Sequence, residues 1–331
     1  MDRDFSISAR HLVEVLYKEM LQREPDALGL QGHLRELLRH GDPANTLRTF
    51  LTSPEFRAIV ARRISAAPEF PHDLSPANPI ELALSEQQMS ALWRHVETLW
   101  STLGIEDPYW SVMTSDSFRL SKMSSDSALG AFYETGLPEI ERLKCWLARH
   151  GVTLSGSGIC AEYGCGVGRL TYWLSKLFAE VIGLDISQPH LDAADAWLTR
   201  HGRRNARFRK VSGRTDLSAL SDVDFFYTVI VLQHNPPPIM HQILKSALGG
   251  LKSGGHAFFQ IPTYFLGYRF EFAKYIATPP PDNKVEMHCL PQSAIFRLAR
   301  DHDCDVLEVQ PDHMTGSPHV FTSNTFLLRK H

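Results

Sequence analysis

Five positions within one short stretch have the residue types and spacing to do chemistry. Residues 158–186 read GICAEYGCGVGRLTYWLSKLFAEVIGLDI, with Glu162 before the glycines at 164, 166 and 168, and Asp185 at the end of the next apolar run. Glycine has no Cβ, so a turn built from it can take positive φ and let a ligand approach the backbone. A helix after such a turn would present free N–H groups. Asp185 brings two acceptor oxygens, which suits the diol of a ribose, at the separation expected of a βαβ unit. The pattern predicts a nucleoside site.

The dinucleotide fingerprint G-x-G-x-x-G is not met, because Arg169 stands where the third glycine belongs and the last glycine is at 168. An acid just before the turn would repel a pyrophosphate, yet Glu162 suits an ammonium or a sulfonium. S-adenosylmethionine carries both. The motif E-x-G-x-G-x-G, followed by G-L-D, resembles the class I S-adenosylmethionine-dependent methyltransferase family. DFFYTVIVLQH resembles that family's fourth strand and LKSGGHAFFQIP the start of its fifth, so the likeness runs from about residue 130 onward.

The resemblance implies an α/β, Rossmann-like seven-stranded methyltransferase sheet with helices on both faces. It implies S-adenosylmethionine as cofactor, S-adenosylhomocysteine as product, and no required metal. The cofactor contacts it implies are Glu162, Gly164, Cys165, Gly166, Gly168, Asp185 and Ile186, then Ile230 and Val231 at the fourth strand. Asp216 would meet the adenine amino group and Leu217 its face, with Tyr133 covering the sulfonium from a lid.

His234 stands at the tip of the fourth strand, where ligands of parallel sheets bind, and His288 lies in a later loop where this family builds its acceptor pocket. Either can take a proton from a hydroxyl at neutral pH, and Asp312 could orient either one. Gln233, Tyr264, Tyr268 and Arg269 are the expected acceptor contacts, with Phe265 and Phe270 as stacking partners in the same insertion. The reaction expected is an in-line displacement in which an acceptor hydroxyl attacks the methyl group. The first reading of the acceptor is a saccharide or glycan intermediate; a small metabolite or lipid is the alternative, and an inactive scaffold the third reading.

The elements that must position these groups can be read around them. Residues 151–331 form the catalytic domain, and residues 85–150 a helical lid or cap that opens with a helix over 85–103. Four proline residues between 66 and 80 predict a linker over 67–84. Before it, residues 1–66 show four helical stripes, with Asp42 before Pro43 and Ser53 before Pro54 as helix starts. L-x-R-E-P-D-x-x-G-L in this region resembles a small helical bacterial domain of unknown function, related to phycobilisome linker domains. That likeness implies docking to a protein partner or self-association, in proteins often concerned with glycans.

Composition narrows the rest. A formal charge of -3, from 34 basic and 37 acidic residues, gives no global attraction to nucleic acid or to an anionic membrane. The local basic run from Arg200 to Lys210 reads either as a solvated turn or as a contact for an anionic partner; its single aromatic, Phe208, argues against stacking on single strands. The five cysteines form no paired motif, which fits a reducing cytoplasm. No apolar run is long enough for a membrane span or a secretory signal.

Overall fold

The computed structural model describes residues 3–65, 77–278, 285–316 and 320–331. The chain divides into two compact units, Met1–Ser75 and Pro76–His331. The first unit is all helical: α1 (Arg3–Leu21), α2 (Ala27–His40), α3 (Pro43–Thr52) and α4 (Pro54–Ser65). Its starts are capped by the expected chemistry, since Asp26 accepts from the Gly29 N–H, Asp42 from the Ala44 N–H and Ser53 from the Phe56 N–H. Val13, Tyr17, Leu37 and Phe50 fill a small core of its own. Arg23 grips Glu55 through two N–H donors, at 2.6 and 3.0 Å, and so ties the first turn to α4.

The second unit begins with four helices, α5 (Glu86–Glu106), α6 (Pro108–Val112), α7 (Asp126–Glu134) and α8 (Leu137–Arg149). Strands then alternate with helices: β1 (Ile159–Tyr163), α9 (Thr171–Leu174), β2 (Glu180–Asp185), α10 (Gln188–Arg200), β3 (Ala206–Lys210), β4 (Val223–Thr228), α11 (Pro237–Gly250) and β5 (Leu251–Phe265). The chain closes with α12 (Phe272–Ala277), α13 (Gln292–Asp301), β6 (Cys304–Asp312) and β7 (Phe321–Lys330).

One seven-stranded sheet results, in the order β3-β2-β1-β4-β5-β7-β6. Pairing is parallel from β3 through β5, and β7 runs antiparallel between β5 and β6. Successive side chains of a strand face opposite ways, so a sheet covered on both sides needs apolar residues at consecutive positions. β4 shows this directly. Phe226 joins the layer of α5, α11 and α13, while Phe225 and Tyr227 join the layer of α8 and α9. This is a Rossmann-like seven-stranded sheet, with the order reversing between β1 and β4, where parallel sheets open a ligand crevice.

Within the segment 85–150, Leu92 and Trp93 of α5 are fully buried in the main core and the Trp93 Nε1–H donates to Gln242 Oε1 at 2.9 Å. Of the linker 67–84, residues 67–76 lie outside the described residues, but the remainder is anchored. Phe270 donates its N–H to Pro79 O and Glu81 donates its N–H to Phe270 O, both at 3.0 Å. The helix after the glycine turn is a single turn, Thr171–Leu174, and the glycine loop spends its own N–H groups internally, on Leu184 O, Cys165 O and Asp185.

At the edge of the sheet, the basic run is largely a guarded strand. Arg200 pairs with Asp126, Arg207 with Glu180 and Lys210 with Glu97. Charges along β3 discourage edge-to-edge pairing. Among the described residues no helix is long and apolar enough to cross a membrane.

Candidate functional site

At the carboxyl ends of β1 and β4 a cleft of about 540 Å³ opens, and the residues singled out at the glycine turn meet there. Glu162, Gly164, Cys165, Gly166, Asp185, Ile186, Ile230, Val231, Gln233 and His234 all line it. Gly164 and Gly166 have φ of 72° and 52°, the left-handed region. A Cβ on Gly164 would come within 2.2 Å of the Val231 side chain, so backbone freedom and space both require glycine there.

Glu162 is 3% exposed and accepts a 2.5 Å hydrogen bond from the Thr171 hydroxyl. Burial pushes its carboxyl up to about 8, against the lowering effects of Thr171 and the Arg169 charge. Asp185 is pinned at both oxygens, Oδ2 accepting from the Gly166 N–H at 2.8 Å and Oδ1 from the Ser187 N–H at 2.9 Å. Each oxygen keeps further lone-pair capacity for a hydroxyl in the cleft.

His234 sits half-buried in the wall, its ring 5.7 Å from that of Trp100. Nδ1 is 2.9 Å from Glu286 O and Nε2 is 3.2 Å from Gln233 Nε2. Burial drives its pKa down to about 4, so the ring is neutral at pH 7.

Several predicted residues lie elsewhere. Tyr133 is 2% exposed; it stacks on Trp197 at 4.0 Å and donates its hydroxyl to Val167 O, so it braces the glycine turn from behind rather than covering a ligand. Gly168 packs against α10, where a Cβ would stand 3.0 Å from Ala194 and Leu198. Asp216 accepts from the Ser212 N–H to close its own turn, and Leu217 is buried in the core; neither is in the cleft wall.

His288 is 5% exposed and faces away from the cleft, between the Tyr268 hydroxyl at 2.7 Å and Glu286 Oε2 at 3.2 Å. Asp312 touches neither histidine: it accepts from the Met314 N–H and the Thr325 hydroxyl. Glu286 does the orienting instead. Although burial raises its carboxyl, hydrogen bonds from His288 and Tyr275 prevail and hold it below the usual range. Tyr264 and the exposed Arg269 lie outside the described wall. The aromatic insertion is no open stacking platform, since Phe265 packs on Tyr268 and Phe321 and Phe270 is buried.

The sequence did not reveal several residues of the wall. Arg169 is 8% exposed, donates to Thr135 O at 3.0 Å and leaves its Nε without a partner; burial lowers its pKa. Its place directly after the glycines was visible as a departure from the dinucleotide pattern. The hydroxyl of Ser111 donates to Pro108 O and lies 2.8 Å from His190 Nε2, so that nitrogen carries the proton. Nδ1 is then a bare acceptor 4.0 Å from Asp185 Oδ1. Trp100, Met113, Met287 and Met314 add apolar surface to the lining. They come from distant segments, and no local pattern marks them. Among the described residues no three His, Cys, Asp or Glu side chains are grouped to hold a metal.

Comparison with known proteins agrees with this geometry. Residues 161–255 match the model of a family described as a methyltransferase domain. A curated relative, the ubiquinone biosynthesis O-methyltransferase of Acinetobacter baylyi, is 25% identical over 115 residues, which are 34% of this chain and 47% of that protein. The chain thus matches about half the length of this relative. Among solved structures, magnesium protoporphyrin IX methyltransferase from Synechocystis PCC 6803 with bound SAH is 18% identical, covering 72% of this chain and 99% of that one at a TM-score of 0.49. An S-adenosylmethionine-dependent methyltransferase from Clostridium acetobutylicum is 15% identical, covering 64% and 94% at a TM-score of 0.43. From the strand that carries Glu162 to the start of β5, residues 161–255 are thus similar to a methyltransferase domain.

Proposed function

We propose that the protein transfers a methyl group from S-adenosylmethionine to a small-molecule acceptor. The observation that carries this reading is the convergence of Glu162, Gly164, Gly166 and Asp185 on one cleft inside the matched segment. When bound, S-adenosylmethionine supplies an activated methyl group on a sulfonium and leaves as S-adenosylhomocysteine. Asp185, with His190 beside it, receives the ribose hydroxyls. Glu162 faces the cationic end, and the Arg169 guanidinium, buried without a carboxylate partner of its own, suits the carboxylate at that end. Holding donor and acceptor in line is worth on the order of 7 kcal/mol or more in favourable cases.

His234, in the wall beside Trp100, is the candidate base, and it favours a hydroxyl as the methylated group. Trp100, Met113, Met287 and Met314 favour a flat, largely apolar acceptor over the saccharide first expected. The saccharide reading keeps the support of the helical domain's resemblance alone. Docking of a partner, or self-association, remains the proposed role of that domain.

Calorimetric titration with S-adenosylmethionine and S-adenosylhomocysteine tests the reading. Both should bind, and Asp185→Ala should weaken them at least about tenfold, the size of a lost charged hydrogen bond. Failure of the unmodified protein to bind either ligand would overturn it.

A further inference from the structure

Gln260 belongs to no part of the cleft wall, yet Gln233 in that wall leads to it, and His234 through Gln233. It lies on β5 with 0% exposure, in a sheet interior otherwise filled by Phe258, Phe259 and Ile261. A buried side-chain amide is costly unless its hydrogen bonds are made. Here they are. Oε1 accepts from the Ile230 N–H at 2.9 Å, while Nε2 donates to Gln233 Oε1 at 3.0 Å and to Ser323 Oγ at 2.7 Å.

The direction of the whole chain follows from its two ends, which are backbone groups and can each play only one role. Ile230 N–H can only donate, so it must meet the oxygen of Gln260, and the Gln260 nitrogen must then face Gln233. Gln233 uses its oxygen there, which turns its own NH₂ toward His234 Nε2 at 3.2 Å. That nitrogen must accept, so the proton of the neutral ring is on Nδ1. At the far end Glu286 C=O can only accept, and it lies 2.9 Å from Nδ1. Both ends demand the same arrangement. Gln260 also holds Ile230, a β-branched residue at φ 59°, in a conformation such residues rarely adopt.

We infer that Gln260 is a positioning residue that, together with the Glu286 carbonyl, sets the tautomer of His234, keeping the proton on Nδ1 and the lone pair on Nε2. An acceptor hydroxyl can take the place of the Gln233 N–H at that lone pair, and its proton passes to Nε2 as the oxygen attacks the methyl carbon and the carbon–sulfur bond breaks. This rests on the methyltransferase reading. It adds a residue behind the wall that touches neither ligand.

The test is the nitrogen-15 NMR signature of His234 in the full-length protein, with and without S-adenosylhomocysteine. The unmodified protein should show the Nδ1–H form. Gln260→Glu keeps an acceptor for Ile230 but loses the donor to Gln233, which should turn that amide round and shift the ratio of tautomers toward Nε2–H by about tenfold. Gln260→Met, nearly the same size, should leave the amide undirected and raise the share of Nε2–H against the pull of the Glu286 carbonyl; it decides the matter if the Glu variant does not fold. An unchanged Nδ1–H signature in every variant that still binds S-adenosylhomocysteine would overturn the inference while leaving the methyltransferase reading intact. Absence of binding by the unmodified protein would remove that reading, and with it the role of His234 as a base.

Discussion

Glu162 is the residue on which the electrostatics of the cleft turn. Burial holds its folded pKa at about 8, above the usual 4.5, so between those values the folded protein binds more protons than the unfolded chain. Its contribution to stability is therefore fully present below pH 4.5 and is lost as pH rises toward 8. A cation in the cleft favours the carboxylate, so binding of S-adenosylmethionine below pH 8 should release a proton, and affinity should rise by up to about tenfold per pH unit until it levels off. Calorimetry in two buffers of different ionisation enthalpy measures that proton. Glu162→Gln should abolish the release, and equal proton release by variant and unmodified protein would remove Glu162 from this role. His234 moves the other way. Held neutral down to about pH 4, it withdraws stability as pH falls from 6.5, because the unfolded chain alone takes up the proton.

Among elements, the glycine turn between β1 and α9 is where conformation and ligand access are the same property. Gly164 combines φ of 72° with a Val231 side chain 2.2 Å from any added Cβ. An L-residue in the left-handed region costs about 1–2 kcal/mol before that clash is counted. Gly164→Ala should therefore weaken S-adenosylhomocysteine binding by about tenfold or more and lower the melting temperature. Gly202→Ala makes a control, since Gly202 shares a positive φ but no neighbour lies within 4 Å. That control should lose stability without losing affinity. Equal affinity losses at both positions would mean that strain spread through the fold, and not closure of the cleft, is responsible.

For the whole molecule, the division at Ser75 and Pro76 separates the helical unit from all the residues that line the cleft. The core of the larger unit is drawn from its own helices and strands, including α5. Residues 76–331 expressed alone should fold and bind S-adenosylhomocysteine with the affinity of the full chain. Loss of binding would show that the helical unit completes the site. Methylation of an apolar acceptor by residues 76–331 at the full-length rate would argue against the helical unit as a recognition element for that acceptor.

What was legible in the sequence were features whose physics is local. Glycine spacing, an acid at each of two strand ends, and consecutive apolar residues in β4 depend only on backbone geometry and on burial of both sheet faces. Glu162, Gly164, Gly166 and Asp185 accordingly meet where they were expected. The tertiary structure alone decided which side of an element a side chain takes and who its partners are. Tyr133 turned to Trp197, and His288 to Tyr268 and Glu286. Neither choice has a local signature, because each needs a group far along the chain, Trp197 for Tyr133 and Tyr268, 20 residues away, for His288. Gln260 is the limiting case. In sequence it is one polar residue in the apolar run 257–262, and only the meeting of Ile230, Gln233 and Ser323 around it gives that amide something to do.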